Sequence, residues 1–244
     1  MKVTVIGYWG GYPGKSEATS CYLFKSKNFN LLVDCGSGAL AALQNYIDPN
    51  SLNAVILSHY HHDHIADIGV LQYYKLVNAD KLKFALPIYG HNFNQEKFNS
   101  LTYKEATKGY EYRPNEALDL GPFTIRFLKT VHPVDCFAFR IETANHSVVY
   151  TADSSYTEEF IPFSSNADLL ISDCNMYEHQ DGAKVGHMSS KDAATIANEA
   201  NVKELLLSHL PHKGNTKDLI IEAKKYYNGI VHLAYTGFEW KLKG

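Results

Sequence analysis

Apolar residues recur along the chain with two different periods, and each period predicts its own kind of element. Strict alternation, or a short and wholly apolar run, favours a β-strand, whereas apolar residues every three or four positions favour a helix. In the first half, strands are predicted at residues 3–7, 20–26, 30–36 and 54–59, and helices at 37–47 and 66–78. Gly and Pro residues between the first two strands predict turns, so the opening strands are expected to form a β-meander.

The second half repeats this organisation. Antiparallel strands are predicted at residues 123–129, 136–143 and 147–153, and later strands at 168–174 and 204–210 alternate with helices at 190–200 and 217–227. Two similar halves of this kind predict an α/β fold in which two mixed β-sheets pack face to face, each with helices on its outer side. We therefore expect a four-layer αββα sandwich. The lack of a linker or a repeat predicts a single domain over residues 1–244.

Charge and composition limit the function classes. The formal net charge is -3 and the pI is near 6.4, so the chain is not expected to bind long nucleic acid, which needs many basic side chains opposite the phosphates. A small anionic substrate remains compatible with this charge. No run of 18 apolar residues occurs and the first residues lack the zones of a signal peptide, so no membrane partner and a cytoplasmic location are expected. The four cysteines lack a CxxC pair, which predicts neither a disulfide framework nor a thiolate zinc site.

The strongest chemical signal is a cluster of histidines that follows the apolar strand at 54–59. It has the sequence His59-Tyr60-His61-His62-Asp63-His64. Neutral imidazole and carboxylate are good ligands for zinc and related divalent ions, and core packing does not explain such a cluster. Because loops after strand ends present side chains to clefts, we predict a metal site here.

The pattern HxHxDH after a buried strand resembles the signature of the metallo-β-lactamase superfamily. The later ligand positions of that family match His132, Asp153 and His209, each at the end of a predicted strand and in the family's order. The resemblance covers nearly the whole chain. It implies the metallo-β-lactamase fold and two divalent metal ions that share a water-derived hydroxide, with zinc favoured over manganese or iron.

The resemblance also implies a role for each matched residue. One metal is held by His59, His61 and His132, the other by Asp63, His64 and His209, and Asp153 bridges the two. Asp34 matches a strand-ending aspartate that orients a ligand histidine. Asp63 is also expected to orient the attacking hydroxide. The segment from Gly186 to Ala194 resembles an element of the ribonuclease Z and phosphodiesterase branch, which makes His187 the residue that contacts the phosphate and protonates the leaving group.

The local motifs favour phosphodiester hydrolysis. Only 21 positions separate His132 from Asp153, which leaves no room for the long arm with which common bacterial ribonuclease Z enzymes grip transfer RNA. Small phosphodiesters, cyclic nucleotides or short RNA are therefore the expected substrates. A lactone or thioester hydrolase of the same fold, and a noncatalytic metal-stabilised binding protein, are the alternatives. The resemblance alone implies a homodimer.

Overall fold

The computed structural model describes residues 1–78 and 84–241. Within them the chain forms two seven-stranded mixed β-sheets with helices. Contacts between Cα atoms divide it into two compact units. Unit 1 comprises residues 1–113, 120–122 and 235–244, and unit 2 comprises residues 114–119 and 123–234.

The sheet of unit 1 begins as the predicted meander. Strands β1 to β3 pair antiparallel, and β3 to β6 then run parallel to one another. The C-terminal strand β14 adds to the other edge by pairing antiparallel with β1. The strands are β1 Lys2–Gly7, β2 Cys21–Ser26, β3 Phe29–Val33, β4 Ala54–Ile56, β5 Leu86–Gly90, β6 Thr107–Glu111 and β14 Glu239–Lys241.

Helices in unit 1 are short. They are α1 Ala39–Leu43, a 3₁₀ turn at Pro49–Ser51, α2 His62–Ile65, α3 Ile68–Val77 and α4 Gln95–Asn99. The predicted helix over 37–47 is therefore only partly helical, because it starts after Gly38 in the left-handed region and ends in turns. Apolar residues of β2, β3 and β4 pack with those of α1 and α3 in one buried cluster, which fixes the strand ends that precede the histidine motif.

The second sheet has the order β13-β12-β11-β10-β9-β8-β7. Strands β8, β9 and β10 pair antiparallel as predicted, and β10 to β13 are parallel. The strands are β7 Leu118–Leu120, β8 Phe123–Lys129, β9 Phe137–Glu142, β10 Ser147–Tyr150, β11 Leu169–Asp173, β12 Glu204–Ser208 and β13 Ile230–Leu233, and the helices are α5 Phe160–Phe163, α6 Ser190–Glu199 and α7 Lys217–Ala223.

The predicted fold class, α/β with two mixed sheets and their helices, is confirmed. The sequence pattern missed β5, β6, β7, β13 and β14. That residues 1–244 form one domain stays a prediction. Among the helices of the described residues, none has both the length and the apolar character needed to cross a membrane.

Candidate metal centre

The candidate metal ligands follow the ends of strands in both units. His59 to His64 come after β4 in unit 1. In unit 2, His132 comes after β8, Asp153 after β10 and His209 after β12. Parallel neighbours end at the same edge of a sheet, so β10 and β12 bring their following residues to one place.

The histidine motif of unit 1 folds back on itself because α2 begins within it. His61 is the residue before α2, and its carbonyl accepts a hydrogen bond from the backbone N–H of His64 at 3.0 Å. The ring centroids of His59 and His61 lie 4.8 Å apart, and those of His59 and His64 lie 4.1 Å apart. The Nε2 atom of His64 is 3.8 Å from Oδ2 of Asp63. Three imidazoles and one carboxylate are thus brought together in this unit.

Asp34 orients the histidines of this motif through hydrogen bonds. It is buried, and its Oδ2 lies 2.8 Å from Nδ1 of His64. The same carboxylate accepts hydrogen bonds of 2.8 Å from the backbone N–H and the hydroxyl of Ser58, whose Oγ is 3.0 Å from Nδ1 of His59. Nδ1 of both histidines is therefore engaged, and each ring offers Nε2 as its metal-binding atom.

Asp63 is held by backbone groups of unit 1. The N–H of Gly11 donates a hydrogen bond of 2.7 Å to its Oδ2. Gly11 has φ +74°, a conformation that favours glycine. A Cβ atom on Gly36 would lie 2.0 Å from the carbonyl oxygen of Asp63 and 2.1 Å from Oγ1 of Thr19. Gly36 therefore permits a close backbone approach to Asp63, and Gly11 adopts the backbone conformation from which its N–H reaches this carboxylate.

In unit 2, Asp153 lies between two histidines. Its Oδ2 is 3.9 Å from Nε2 of His132 and 3.4 Å from Nε2 of His209. Nδ1 of His132 lies 3.0 Å from the carbonyl oxygen of Gly186, which directs Nε2 toward the carboxylate. The backbone has positive φ at Ala152 and at His209, φ 52° in each case, and non-glycine residues adopt this conformation at a cost of order 1 kcal/mol or more. This strain is concentrated where the candidate ligands leave their strands.

His187 occupies the same unit and contacts both of these histidines. Its ring stacks on that of His209 with centroids 5.0 Å apart, and it meets the ring of His132 edge-on at 5.5 Å. Ser189 and Asp192 form a reciprocal capping box at the start of α6. This fixes the backbone directly after His187.

A buried carboxylate that the sequence analysis did not select, Asp173, joins His187 to His209. Its Oδ2 lies 2.9 Å from Nδ1 of His187, and its Oδ1 lies 3.5 Å from Nδ1 of His209. Together with Asp153 these residues offer four ligand or proton-binding atoms within 4.8 Å of one another. Asp173 ends β11 as Asp34 follows β3, so an aspartate at the end of an apolar strand was the available signal.

The charges of this pair stabilise each other. Burial lowers the pKa of His187, but the charge and hydrogen bond of Asp173 outweigh burial, so the pKa lies above its ordinary value. Burial likewise raises the pKa of Asp173, but His187 and His209 outweigh it, and the pKa lies below its ordinary value. The pair therefore favours a protonated imidazole beside an ionised carboxylate.

The donor set fits divalent metal ions. The candidate ligands are imidazoles and carboxylates, the groups that zinc and its neighbours bind in proteins. The Nδ1 atoms of His59, His64, His132 and His209 each face an oxygen of the protein. Such contacts fix the tautomer and the orientation of a metal-binding histidine, so these four rings are oriented for metal binding.

Comparison with known proteins identifies relatives over the full length. Residues 29–210 match the model of the beta-lactamase superfamily domain. The chain is 57% identical to the probable metallo-hydrolase YhfI of Bacillus subtilis (strain 168), over 99% of this chain and 100% of that protein. The crystal structure of YhfI, described as a metallo-beta-lactamase fold protein, has a TM-score of 0.97 and covers 98% of each chain.

More distant relatives come from several groups. Ribonuclease Z of Methanopyrus kandleri is 22% identical over 93% of this chain and 92% of its own length. The crystal structure of a diphosphatase from the PhnP family has a TM-score of 0.79 at 14% identity, covering 99% of this chain and 98% of its own. At that identity the likeness concerns the fold.

Proposed function

Because the chain belongs to the metallo-β-lactamase superfamily, we propose that it is a metal-dependent hydrolase whose substrates are small phosphodiesters. The observation that carries the proposal is the pair formed by Asp173 and His187, whose Oδ2 and Nδ1 atoms lie 2.9 Å apart. An alkoxide that leaves phosphorus is strongly basic and needs a proton, which a positioned imidazolium supplies. His187 contacts the rings of two candidate metal ligands, where such a proton is needed.

We assign the metal ligands as the family resemblance implies. His59, His61 and His132 would hold one divalent metal ion, Asp63, His64 and His209 would hold a second, and Asp153 would be a ligand shared by the two. The imidazole and carboxylate donors favour zinc. When bound, divalent metals lower the pKa of a water molecule and polarise a phosphoryl oxygen.

The chain's own residues supply the remaining steps. Asp63, fixed by the N–H of Gly11, accepts a hydrogen bond from the attacking water and orients it toward phosphorus. The new bond joins the water oxygen to phosphorus as the ester P–O bond breaks. The departing oxygen takes a proton from Nε2 of His187, while Asp173 holds Nδ1 and stabilises the imidazolium until then. The proton released by the water then passes through solvent to His187 and restores its imidazolium.

Two features support small substrates. The interval between His132 and Asp153 is filled by β9, β10 and their turns, which leaves no inserted arm to grip a folded RNA. The net charge of -3 also disfavours a long polyanion. A relative named ribonuclease Z supports chemistry at phosphorus.

The test is hydrolysis of bis-p-nitrophenyl phosphate by protein of determined metal content. Turnover is measured as isolated, after chelation, and after zinc or manganese is added back, beside a lactone and a thioester. We expect turnover of the diester that chelation abolishes and metal restores. Turnover of the lactone or thioester alone, with two metals bound, would assign the protein to carboxyl-ester hydrolysis instead. Bound metal without turnover of any substrate would contradict an enzymatic role.

A further inference from the structure

A cleft in unit 2 opens beside His187. Its volume is about 390 Å³, which is within the range of small-molecule sites. His187 lines it, and the side chain of His187 is 18% exposed. The cleft therefore gives a group in contact with His187 a place to reside.

The loop from Gly182 to His187 forms one wall of this cleft. The carbonyl oxygen of Gly182 accepts hydrogen bonds from the backbone N–H groups of Val185, Gly186 and His187, at 3.1, 2.9 and 3.2 Å. A Cβ atom on Gly182 would lie 2.1 Å from the carbonyl oxygen of His187. The segment is thus a tight loop that only glycine permits, and it sets the distance between the wall and the imidazole.

The lining of the cleft is polar and acidic. Among the described residues, those that line it include three carboxylates, Glu178, Asp181 and Asp192, and one ammonium group, that of Lys191. Lys191 Nζ lies over the ring of Tyr226, 5.5 Å from its centroid. The ammonium is thereby held against an aromatic face, and the carboxylates set the sign of the local field.

Within the part of the chain that the structure describes, two of the three carboxylates are held by side chains of other residues, whereas the third is held only by a backbone N–H. Lys225 Nζ lies 2.5 Å from Oε1 of Glu178, and Asp192 accepts hydrogen bonds from the backbone and hydroxyl of Ser189. Asp181 is exposed and accepts from the N–H of Ala183 through Oδ1. Asp181 is therefore the carboxylate whose charge acts most directly on an occupant.

Hydroxyl and amide groups complete the lining. Ser155 Oγ donates to the carbonyl of Ala183 at 3.1 Å, which leaves its oxygen able to accept. Oε1 of Gln180 accepts a hydrogen bond of 2.8 Å from the N–H of Tyr177, so the amide NH₂ group of Gln180 is left to donate to an occupant. Tyr156 adds a partly exposed ring. These groups suit an occupant with hydroxyls and little charge.

We propose that this cleft binds the leaving group of the phosphodiester, and that it selects an uncharged, hydroxyl-bearing group such as a nucleoside or sugar alcohol over one that carries a further phosphate. The proposal rests on the proposed function, because His187 lines the cleft and contacts the rings of two candidate metal ligands, so a group that leaves phosphorus at that centre lies beside the cleft. A polynucleotide continued by phosphates beyond the scissile bond would place negative charge against Asp181, which costs free energy at short range. The protein would then cleave isolated diesters.

The experiment compares three methyl aryl phosphates whose phenols have matched pKa values. On a methylene spacer the ring carries a hydroxyl, a sulfonate or a trimethylammonium group. For the metal-loaded wild-type protein at low salt we expect kcat/KM to be about tenfold lower for the sulfonate than for the hydroxyl compound. In Asp181→Lys the ratio of kcat/KM for the sulfonate to kcat/KM for the hydroxyl compound should rise by about fivefold or more. This increase should become smaller at high salt. Asp181→Asn should give an intermediate ratio.

Glu105→Lys is the matched control, because it makes the same change in net charge at an exposed position of unit 1. It should leave the ratio at the wild-type value. Equal ratios in wild type, Asp181→Lys and Asp181→Asn, with turnover of all three diesters, would overturn the leaving-group assignment while the proposed function stands. No turnover of any diester by the metal-loaded wild type would overturn both. Thermal melting of each variant confirms that the fold is retained.

Discussion

At the scale of single residues, Asp173 links His187, the proposed proton donor, to His209, a candidate metal ligand. One carboxylate contacts His187 at 2.9 Å and His209 at 3.5 Å. Asp173→Asn keeps the size of the side chain but removes the charge that raises the pKa of His187. We expect metal to remain bound and phosphodiesterase kcat to fall about 10- to 100-fold, the usual cost of losing an outer-shell partner. Metal analysis and steady-state kinetics check both quantities.

A double-mutant cycle separates this role from a merely structural one. If Asp173 acts through His187, then Asp173→Asn should lower kcat far less in a His187→Ala background than in wild type, because residues that act as a unit are not additive. Full additivity of the two changes would show that Asp173 contributes independently of His187.

The candidate metal ligands and His187, the proposed proton donor, should respond differently to alanine substitution. Asp153→Ala and His209→Ala are each expected to lose metal and turnover together, since Asp153 lies within 4 Å of two imidazoles. His187→Ala should retain its metal and lose phosphodiester turnover by about 10²-fold or more. Metal stoichiometry is measured on the same samples as turnover. Retained turnover in His187→Ala would remove its assigned role.

The sequence predicts side-chain chemistry better than it predicts backbone contacts. The cluster from His59 to His64 was visible because five of its six adjacent residues carry an imidazole or a carboxylate. Asp173 was read only as part of a strand, since one aspartate after an apolar run carries little information by itself. The hydrogen bond from Gly11 to Asp63 spans 52 positions and uses a backbone donor, so no residue type could signal it.

At the scale of elements, the histidine motif depends on the close approach of two loops. Gly36 follows β3, and a Cβ atom there would lie 2.0 Å from the backbone oxygen of Asp63. Its φ is not positive, so the effect of substitution is steric. Gly36→Ala should displace the motif, lower the free energy of unfolding by about 1–3 kcal/mol and weaken metal binding. Urea unfolding and metal titration measure the two effects.

Gly69→Ala is the control for this substitution. Gly69 lies in α3, where an added Cβ atom meets nothing within 4 Å. Alanine is the better helix former by about 1 kcal/mol, so this variant should be as stable as wild type or slightly more so, with unchanged metal affinity. Equal metal affinity in both variants would show that the approach of Gly36 to Asp63 does not position the motif.

The elements that the sequence predicted correctly are the strongly apolar ones. Strand β8 occupies the predicted residues 123–129, and β9 to β12 begin within one residue of the prediction. The missed strands are mostly edge strands. Strands β6, β7, β13 and β14 end the two sheets, and short edge strands with exposed residues lack the alternation that reveals a strand. Strand β5 contains Pro87, which obscured its pattern.

At the scale of the whole molecule, stability should depend on pH through Lys75. This residue of α3 is 2% exposed. Burial lowers its pKa from 10.5 to about 8, against an opposing effect of Asp48. Below pH 8 the lysine is protonated in both states, so the cost of burying the charge is fully present. Between pH 8 and 10.5 only the unfolded chain holds the proton, so this contribution to stability rises with pH.

Lys75→Met removes the charge and keeps an unbranched side chain. At about 1.4 kcal/mol per pH unit, the variant should be more stable than wild type by about 3 kcal/mol at pH 7, and the difference should nearly vanish by pH 10.5. Urea unfolding under reducing conditions at both pH values measures this. Lys184→Met changes a lysine at an exposed position. Its difference in stability from wild type should be the same at both pH values. A difference between Lys75→Met and wild type that stays constant across this range would mean that Lys75 keeps its proton in the folded protein, with its ammonium group solvated or paired.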